Sequence, residues 1–139
     1  SVPIMTAAET EDCCLDYEGV VARGSMLGSA GMIVMDDSTD MVYQIWRLAR
    51  FYAHESCAQC TQCREGTAWT TKILERILAG KGKQSDLDLL LSLSENMTGK
   101  TICVLSDSCA APIVSGIQKF RPEFEAYLSG ARQPALAMA

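Results

Sequence analysis

Cys57, Cys60 and Cys63 stand at three-residue intervals in Cys57-Ala-Gln-Cys60-Thr-Gln-Cys63. A segment with that spacing can offer three thiolates to one small cubic object, and few biological ligands other than an iron–sulfur cluster need that. A cubane cluster has four iron corners, each wanting one thiolate. The fourth cannot come from the same run, because Thr67 occupies the position where a ferredoxin-type sequence would place it. The candidates are Cys103, Cys109, Cys13 and Cys14. Cys103 is favoured: it lies in the short apolar segment Thr101–Leu105 between two expected helices, where its backbone can be held.

Other uses of cysteine fit this pattern less well. Structural zinc takes paired C-x-x-C knuckles, and only one triplet is present. A thioredoxin-type site needs a single C-x-x-C at a strand-to-helix junction, not two overlapping ones. Free cysteine also serves as a small buried hydrophobe, which is the ordinary expectation for Cys109, Cys13 and Cys14 taken one by one. The seven cysteines are an odd number with no secretory signal ahead of them, which argues against a disulfide framework. His54, three residues before the triplet, reads as a favourable residue at a helix C-terminus rather than a ligand. Arg64 follows the triplet directly and could place positive charge beside a group that gains an electron, raising its potential. Gly66 would permit close approach, and amides around Glu65 and Thr67 would add to the same field.

The elements that must position these residues can be read from periodicity. Ser1–Met5 is a short, apolar, strand-like run. Thr10–Arg23 suggests a helix with a ragged apolar face, and Met32–Met35 a strand closed by Asp36 and Asp37. Ser38 is a candidate cap for a helix carrying Met41, Val42, Ile45, Trp46, Leu48, Ala49 and Tyr52 at helical spacing and fading near His54. After the cysteine loop, Glu65–Leu78 suggests a second helix with Trp69, Ile73, Leu74, Ile77 and Leu78 on its core side. Ser85 and Asp88 resemble a capping box for a third, Leu87–Asn96. Pro112 suits the first turn of a fourth, running to about Phe120, and Pro122 the start of a fifth, to about Leu128. The expected fold is mainly α: a small bundle of about four helices.

Composition bounds the partners. The 139 residues suffice for one ordinary domain, 48% of them are apolar, and the net charge of −5 comes without a basic run. Nucleic acid and anionic membrane are poor partner expectations. The longest uncharged stretch, Gly24–Met35, is too short to span a bilayer, so no direct membrane insertion is expected. A start at Ser1, inside a strand-like run, suggests a piece of something longer.

At the level of motifs, Glu55-Ser-Cys-Ala-Gln-Cys-Thr-Gln-Cys-Arg-Glu-Gly-Thr67 resembles the E-S-C-G-x-C-x-P-C-R-E-G-T signature of the NADH-binding flavoprotein subunit of respiratory complex I. Gly99-Lys-Thr-Ile-Cys-Val-Leu105 resembles that family's G-x-T-I-C-A-L, and Phe120-Arg-Pro-Glu-Phe-Glu125 its closing helix. Met26–Asp36 resembles the strand before its cluster domain. The likeness runs from about residue 1 to residue 128.

The resemblance implies that Cys57, Cys60, Cys63 and Cys103 bind one 4Fe-4S cluster, to which electrons pass singly from NADH-reduced FMN and then along an iron–sulfur chain toward quinone. It implies that residues 1–37 end a β-grasp (ubiquitin-like) domain, residues 38–128 form the helical cluster domain and residues 129–139 are a mobile tail. FMN and NADH would be held by sequence upstream, since no matching glycine-rich segment is present; this segment alone should not oxidise NADH. Implied partners are the rest of the flavoprotein, the 2Fe-2S subunit and the large iron–sulfur subunit. The implied location is peripheral, on the cytoplasmic face of a bacterial inner membrane or on the mitochondrial matrix side. Diaphorase subunits of NAD-linked hydrogenases and formate dehydrogenases use the same module and are the alternative; a zinc-stabilised interaction domain is a more distant one. Departures from the signature are Ala58 for Gly, Gln62 for Pro, and Ser106-Asp-Ser-Cys-Ala-Ala111 for a sequence closer to G-D-G-A-A-W, which leaves Cys109 without a counterpart.

Overall fold

The computed structural model describes residues 2–136. The Ser1 end of the first apolar run and the last three residues of the tail lie outside them. The described residues form seven helices: α1 Ala7–Thr10, α2 Tyr17–Ala22, α3 Met41–Glu55, α4 Thr61–Leu78, α5 Ser85–Met97, α6 Leu105–Lys119 and α7 Arg121–Leu128. α3 packs on α4 and α6, α5 packs on the same two, and α7 closes one end against α3, α4 and α6. The expected mainly-α bundle is borne out. No helix among the described residues is long and apolar enough to cross a membrane.

Helical periodicity accounts for the core. Val42, Ile45, Trp46, Ala49 and Tyr52 of α3 meet Ile73, Leu74, Ile77 and Leu78 of α4. Leu87, Leu90 and Met97 of α5, Cys109, Ile113 and Ile117 of α6, and Phe124 and Tyr127 of α7 complete one buried cluster. Trp69 departs from expectation: it is 51% exposed and lies on a shallow groove with Leu93 and Met97 instead of in the core.

The helix ends differ from the periodic reading for identifiable reasons. α3 is capped by Asp40, whose Oδ1 accepts the Tyr43 amide at 3.0 Å, while Ser38 turns back to Asp36. Asp40 also accepts from the Tyr127 hydroxyl, which ties the start of α3 to α7. Ser85 is already helical, and the α5 start is held instead by Asp86, which accepts the Lys83 amide at 2.8 Å and pairs with Arg76 of α4. Burial alone would push the Asp86 carboxyl up, but Arg76 and the Lys83 amide outweigh it and hold it below the ordinary carboxylate range. α6 begins seven residues before Pro112, so that proline sits inside the helix.

The N-terminal expectations change most. In place of one helix over residues 10–23 there are two short ones, separated where Asp12 takes a left-handed φ of 57° and restarted where Asp16 caps α2 through the Gly19 amide, 2.6 Å away. Residues 31–36 are irregular and form no strand, and Met32, Ile33 and Val34 are exposed. A strand needs a hydrogen-bonding partner edge, and no strand lies beside them among the described residues. The first residues attach directly to the bundle. The Ile4 amide donates to Ser115 Oγ at 2.9 Å, and Lys119 Nζ donates to the Ile4 carbonyl and to Glu9. At the other end, Arg132 meets Glu123 at 3.3 Å and the Ala135 amide donates to the Leu78 carbonyl, so the tail lies along the bundle as far as Leu136.

Candidate metal centre

The triplet occupies a helix–loop–helix junction. α3 ends at Glu55 with Ser56 as its C-cap, Cys57 lies on the exposed loop, Cys60 is the N-cap of α4, and Cys63 lies in its first turn. α4 therefore starts four residues earlier than the periodic reading placed it, at Thr61 instead of Glu65. Thr61 to Cys63 is already helical, while Cys60, as the N-cap, keeps an extended backbone with φ −92° and ψ 128°. Burial deepens along the motif, from exposed Cys57 through half-buried Cys60 to Cys63, which is 7% exposed.

Cys103 comes from the connection between α5 and α6. The Ile102 amide donates to Cys60 Sγ at 3.5 Å across 42 residues of sequence. That contact sets the Cys103 loop against the triplet. The loop is fixed by its own side chains: Thr101 Oγ1 donates to the Cys103 carbonyl at 2.8 Å, and Ser106 Oγ reaches the Met97 carbonyl at 3.2 Å. Asp107 accepts the Gly99 amide at 2.8 Å. The expected packed apolar segment is otherwise: Ile102 and Val104 point outward, 85% and 74% exposed, and hydrogen bonds do the holding.

The remaining cysteines have other settings. Cys13 and Cys14 lie on the α1–α2 connection, where Cys13 Sγ turns to the Cys14 carbonyl. Cys109 is in the core on α6, and burial, assisted by the nearby Cys63 sulfur, pushes its thiol up to about 12. A ligand must be a thiolate, so its setting suits packing.

The cysteine loop is braced from both sides. Arg64 Nη1 donates to the Ala58 carbonyl at 2.8 Å and Nε to Glu65 at 2.9 Å, placing the guanidinium at the base of the loop. Ala58 itself is left-handed, φ 64°, where the resembling family has Gly. Cys60 gives α4 no side-chain cap. The amides of the first turn, which have no intrahelical acceptor, therefore leave a partial positive charge beside the sulfurs. Gly66 has a packing reason of its own: a Cβ there would stand 2.6 Å from Met97 Sδ, so its absence lets α4 approach α5. Ser56 was not singled out from the sequence. Its hydroxyl lies 3.3 Å from Cys63 Sγ, and the signal available was its place next to the first cysteine.

The donor chemistry fits a cluster. The donors are all sulfur. A tetrahedral zinc–thiolate site, with its 2.3 Å bonds, needs sulfurs about 3.8 Å apart. A cubane instead distributes its thiolates over four iron corners.

Fold and donor set together define a helical domain that presents cysteines from a loop–helix junction and a facing loop. The chain belongs to the family described as the NADH-ubiquinone oxidoreductase-F iron-sulfur binding region, which matches residues 43–127. The F 1 subunit of the Rhizobium meliloti NADH-quinone oxidoreductase is 47% identical over 125 residues, covering 90% of this chain and 29% of that protein. The F subunit of the Streptomyces coelicolor enzyme is 48% identical over 130 residues, 94% of this chain and 29% of its own length. Its Mycobacterium tuberculosis counterpart is 46% identical over 134 residues, 96% and 30%. The chain thus spans about three tenths of these relatives. Among solved structures, an NAD+-reducing [NiFe]-hydrogenase in the H2-reduced state matches with a TM-score of 0.65 and 39% identity over 68% of this chain and 16% of that one. Its air-oxidised state gives 0.66 and 37%, over 76% and 18%. The family resemblance read from the motifs is borne out.

Proposed function

We propose that Cys57, Cys60, Cys63 and Cys103 hold one 4Fe-4S cluster, and that the chain is the electron outlet of an NADH-oxidising flavoprotein in an NADH:quinone oxidoreductase. The observation that carries the ligand set is the Ile102 amide on Cys60 Sγ, which seats the loop of the fourth cysteine on the triplet. Bound there, the cluster supplies a one-electron couple. The residues of the chain hold and tune it. The α4 first turn and Arg64 offset negative charge at the sulfurs, and the buried side of Cys63 keeps water from that ligand. FMN and NADH belong to the upstream part of the flavoprotein, which would pass electrons singly to this domain. The electrons would leave through the 2Fe-2S and large iron–sulfur subunits toward quinone. Residues 1–37 would complete a β-grasp sheet supplied by the upstream sequence, with residues 38–128 as the cluster domain. Peripheral attachment on the cytoplasmic face of a bacterial membrane, or its mitochondrial equivalent, follows from the same reading.

The likeness to NAD+-reducing hydrogenase favours a second reading, the diaphorase component of such an enzyme. The electron acceptor purified with the protein separates the two. The cluster itself is tested by iron and acid-labile sulfide analysis after anaerobic purification. About four of each per chain, with broad visible absorption that bleaches on reduction, is the expected outcome. Zinc without sulfide or visible absorption would overturn it.

A further inference from the structure

Ser56 joins the end of α3 to the first cysteine, and its hydroxyl oxygen makes two contacts. It lies 3.3 Å from Cys63 Sγ, and it accepts the Ala58 amide, also at 3.3 Å. A serine hydroxyl has one proton to give and two acceptor sites. The Ala58 amide uses an acceptor site, which leaves the proton free for sulfur. A metal-bound Cys63 is a thiolate and has no proton of its own to donate. The amide leaves the proton free, and the thiolate fixes the direction: with Cys63 bound to metal, Ser56 O–H donates to Cys63 Sγ. Cys63 is the most buried of the four proposed ligands, so this bond is shielded from competing water and correspondingly stronger.

We propose that Ser56 is a positioning residue that sets the reduction potential of the cluster through Cys63. The inference rests on the cluster reading above. A hydrogen bond to a ligand sulfur withdraws electron density from the thiolate. The reduced cluster carries one more negative charge, its sulfurs are better acceptors, and the bond strengthens on reduction. The reduced form is therefore favoured and the potential raised. No proton is transferred and no bond to iron is made or broken. The Ile102 amide does the same for Cys60, but as a backbone donor it cannot be removed by truncating a side chain.

The test is potentiometric EPR on the protein purified anaerobically with its cluster, comparing wild type with Ser56→Ala, Ser56→Gly and Ser56→Thr. Poised where the wild type is half reduced, Ser56→Ala and Ser56→Gly should show a ratio of reduced to oxidised cluster about tenfold lower, equivalent to 59 mV for one electron. Ser56→Thr, which keeps the hydroxyl, should stay within about twofold of wild type. A merely structural serine would lower cluster occupancy or thermal stability while leaving loaded molecules at the wild-type potential, and that result overturns the proposal. An equal shift in all three variants overturns it too. So does complete loss of iron from both Ser56→Ala and Ser56→Gly, which would make the hydroxyl a loading requirement. A wild type without iron and sulfide defeats the cluster reading itself; a loaded wild type with unmoved variants defeats only the role of Ser56.

Discussion

Replacing Cys103 and Cys109 separately by alanine divides ligation from packing. Cys109 is 1% exposed within the core cluster, so Cys109→Ala deletes one buried sulfur. The lost burial is about that of a methylene, ~0.8 kcal/mol. A residual cavity of ~20 Å³ at 24 cal/mol per Å³ adds ~0.5 kcal/mol. The total is about 1–1.5 kcal/mol. With an unfolding entropy near 2.1 cal/mol/K per residue over 139 residues, the melting point should fall by about 3–5 °C. Cys103 is exposed and is not part of the core cluster; its truncation should change packing stability by less than about 0.5 kcal/mol. The iron results should be opposite. Cys109→Ala should keep full iron and sulfide, whereas Cys103→Ala should lose the cluster or retain a form with less iron. Iron and sulfide are assayed on anaerobic protein, and melting is compared after chelation so that cluster loss does not enter the stability difference. Iron loss from Cys109→Ala together with retention in Cys103→Ala would refute the ligand assignment.

Three further outcomes follow from the geometry. Ala58→Gly removes a side chain from a left-handed position; relief of ~1–2 kcal/mol of strain, less the extra unfolded-state freedom of glycine, should raise the melting point by about 2–3 °C. Tyr127→Phe deletes the hydroxyl that Asp40 accepts and should cost about 1.5–3 kcal/mol at neutral pH in a denaturant titration. Burial and the bond to Asp40 raise the Tyr127 hydroxyl above its ordinary value. Its contribution is therefore complete below about pH 10, the unfolded tyrosine value, and is lost as pH rises through the folded one, so the gap between wild type and Tyr127→Phe should close only at strongly alkaline pH. A four-thiolate cluster would be expected to contribute much of a small fold's stability, but the continuous core of α3–α7 narrows that expectation. Chelation should loosen the 56–60 and 99–104 loops, read as faster amide exchange, while far-UV helicity persists; collapse of the helical signal would count against it.

Helical periodicity in the sequence carried the bundle because α3 and α4 each bury one continuous stripe, and a stripe is a local property. Trp69 shows the limit of that reasoning: its spacing matches the stripe, yet it falls at the margin of the face α4 turns to its neighbours, which only packing decides. Residues 31–36 show another, since an apolar run becomes a strand only beside a partner edge. The ends of α5 and α6 were obscured because Asp86 answers Arg76 on another helix, and because Ser106 and Asp107 bond back to the end of α5 and the turn after it.

At the proposed centre, residue types and the three-residue spacing by themselves pointed to three thiolates for one object, since that spacing is short-range chemistry. Sequence likeness also pointed to Cys103. What only the tertiary structure decided is that the loop carrying Cys103 lies beside the triplet, through the Ile102 amide on Cys60 across 42 residues of sequence. It likewise decided that Cys109 belongs to the core and that Ser56 faces Cys63. Contacts between groups distant in sequence depend on how helices pack, and no local pattern records that.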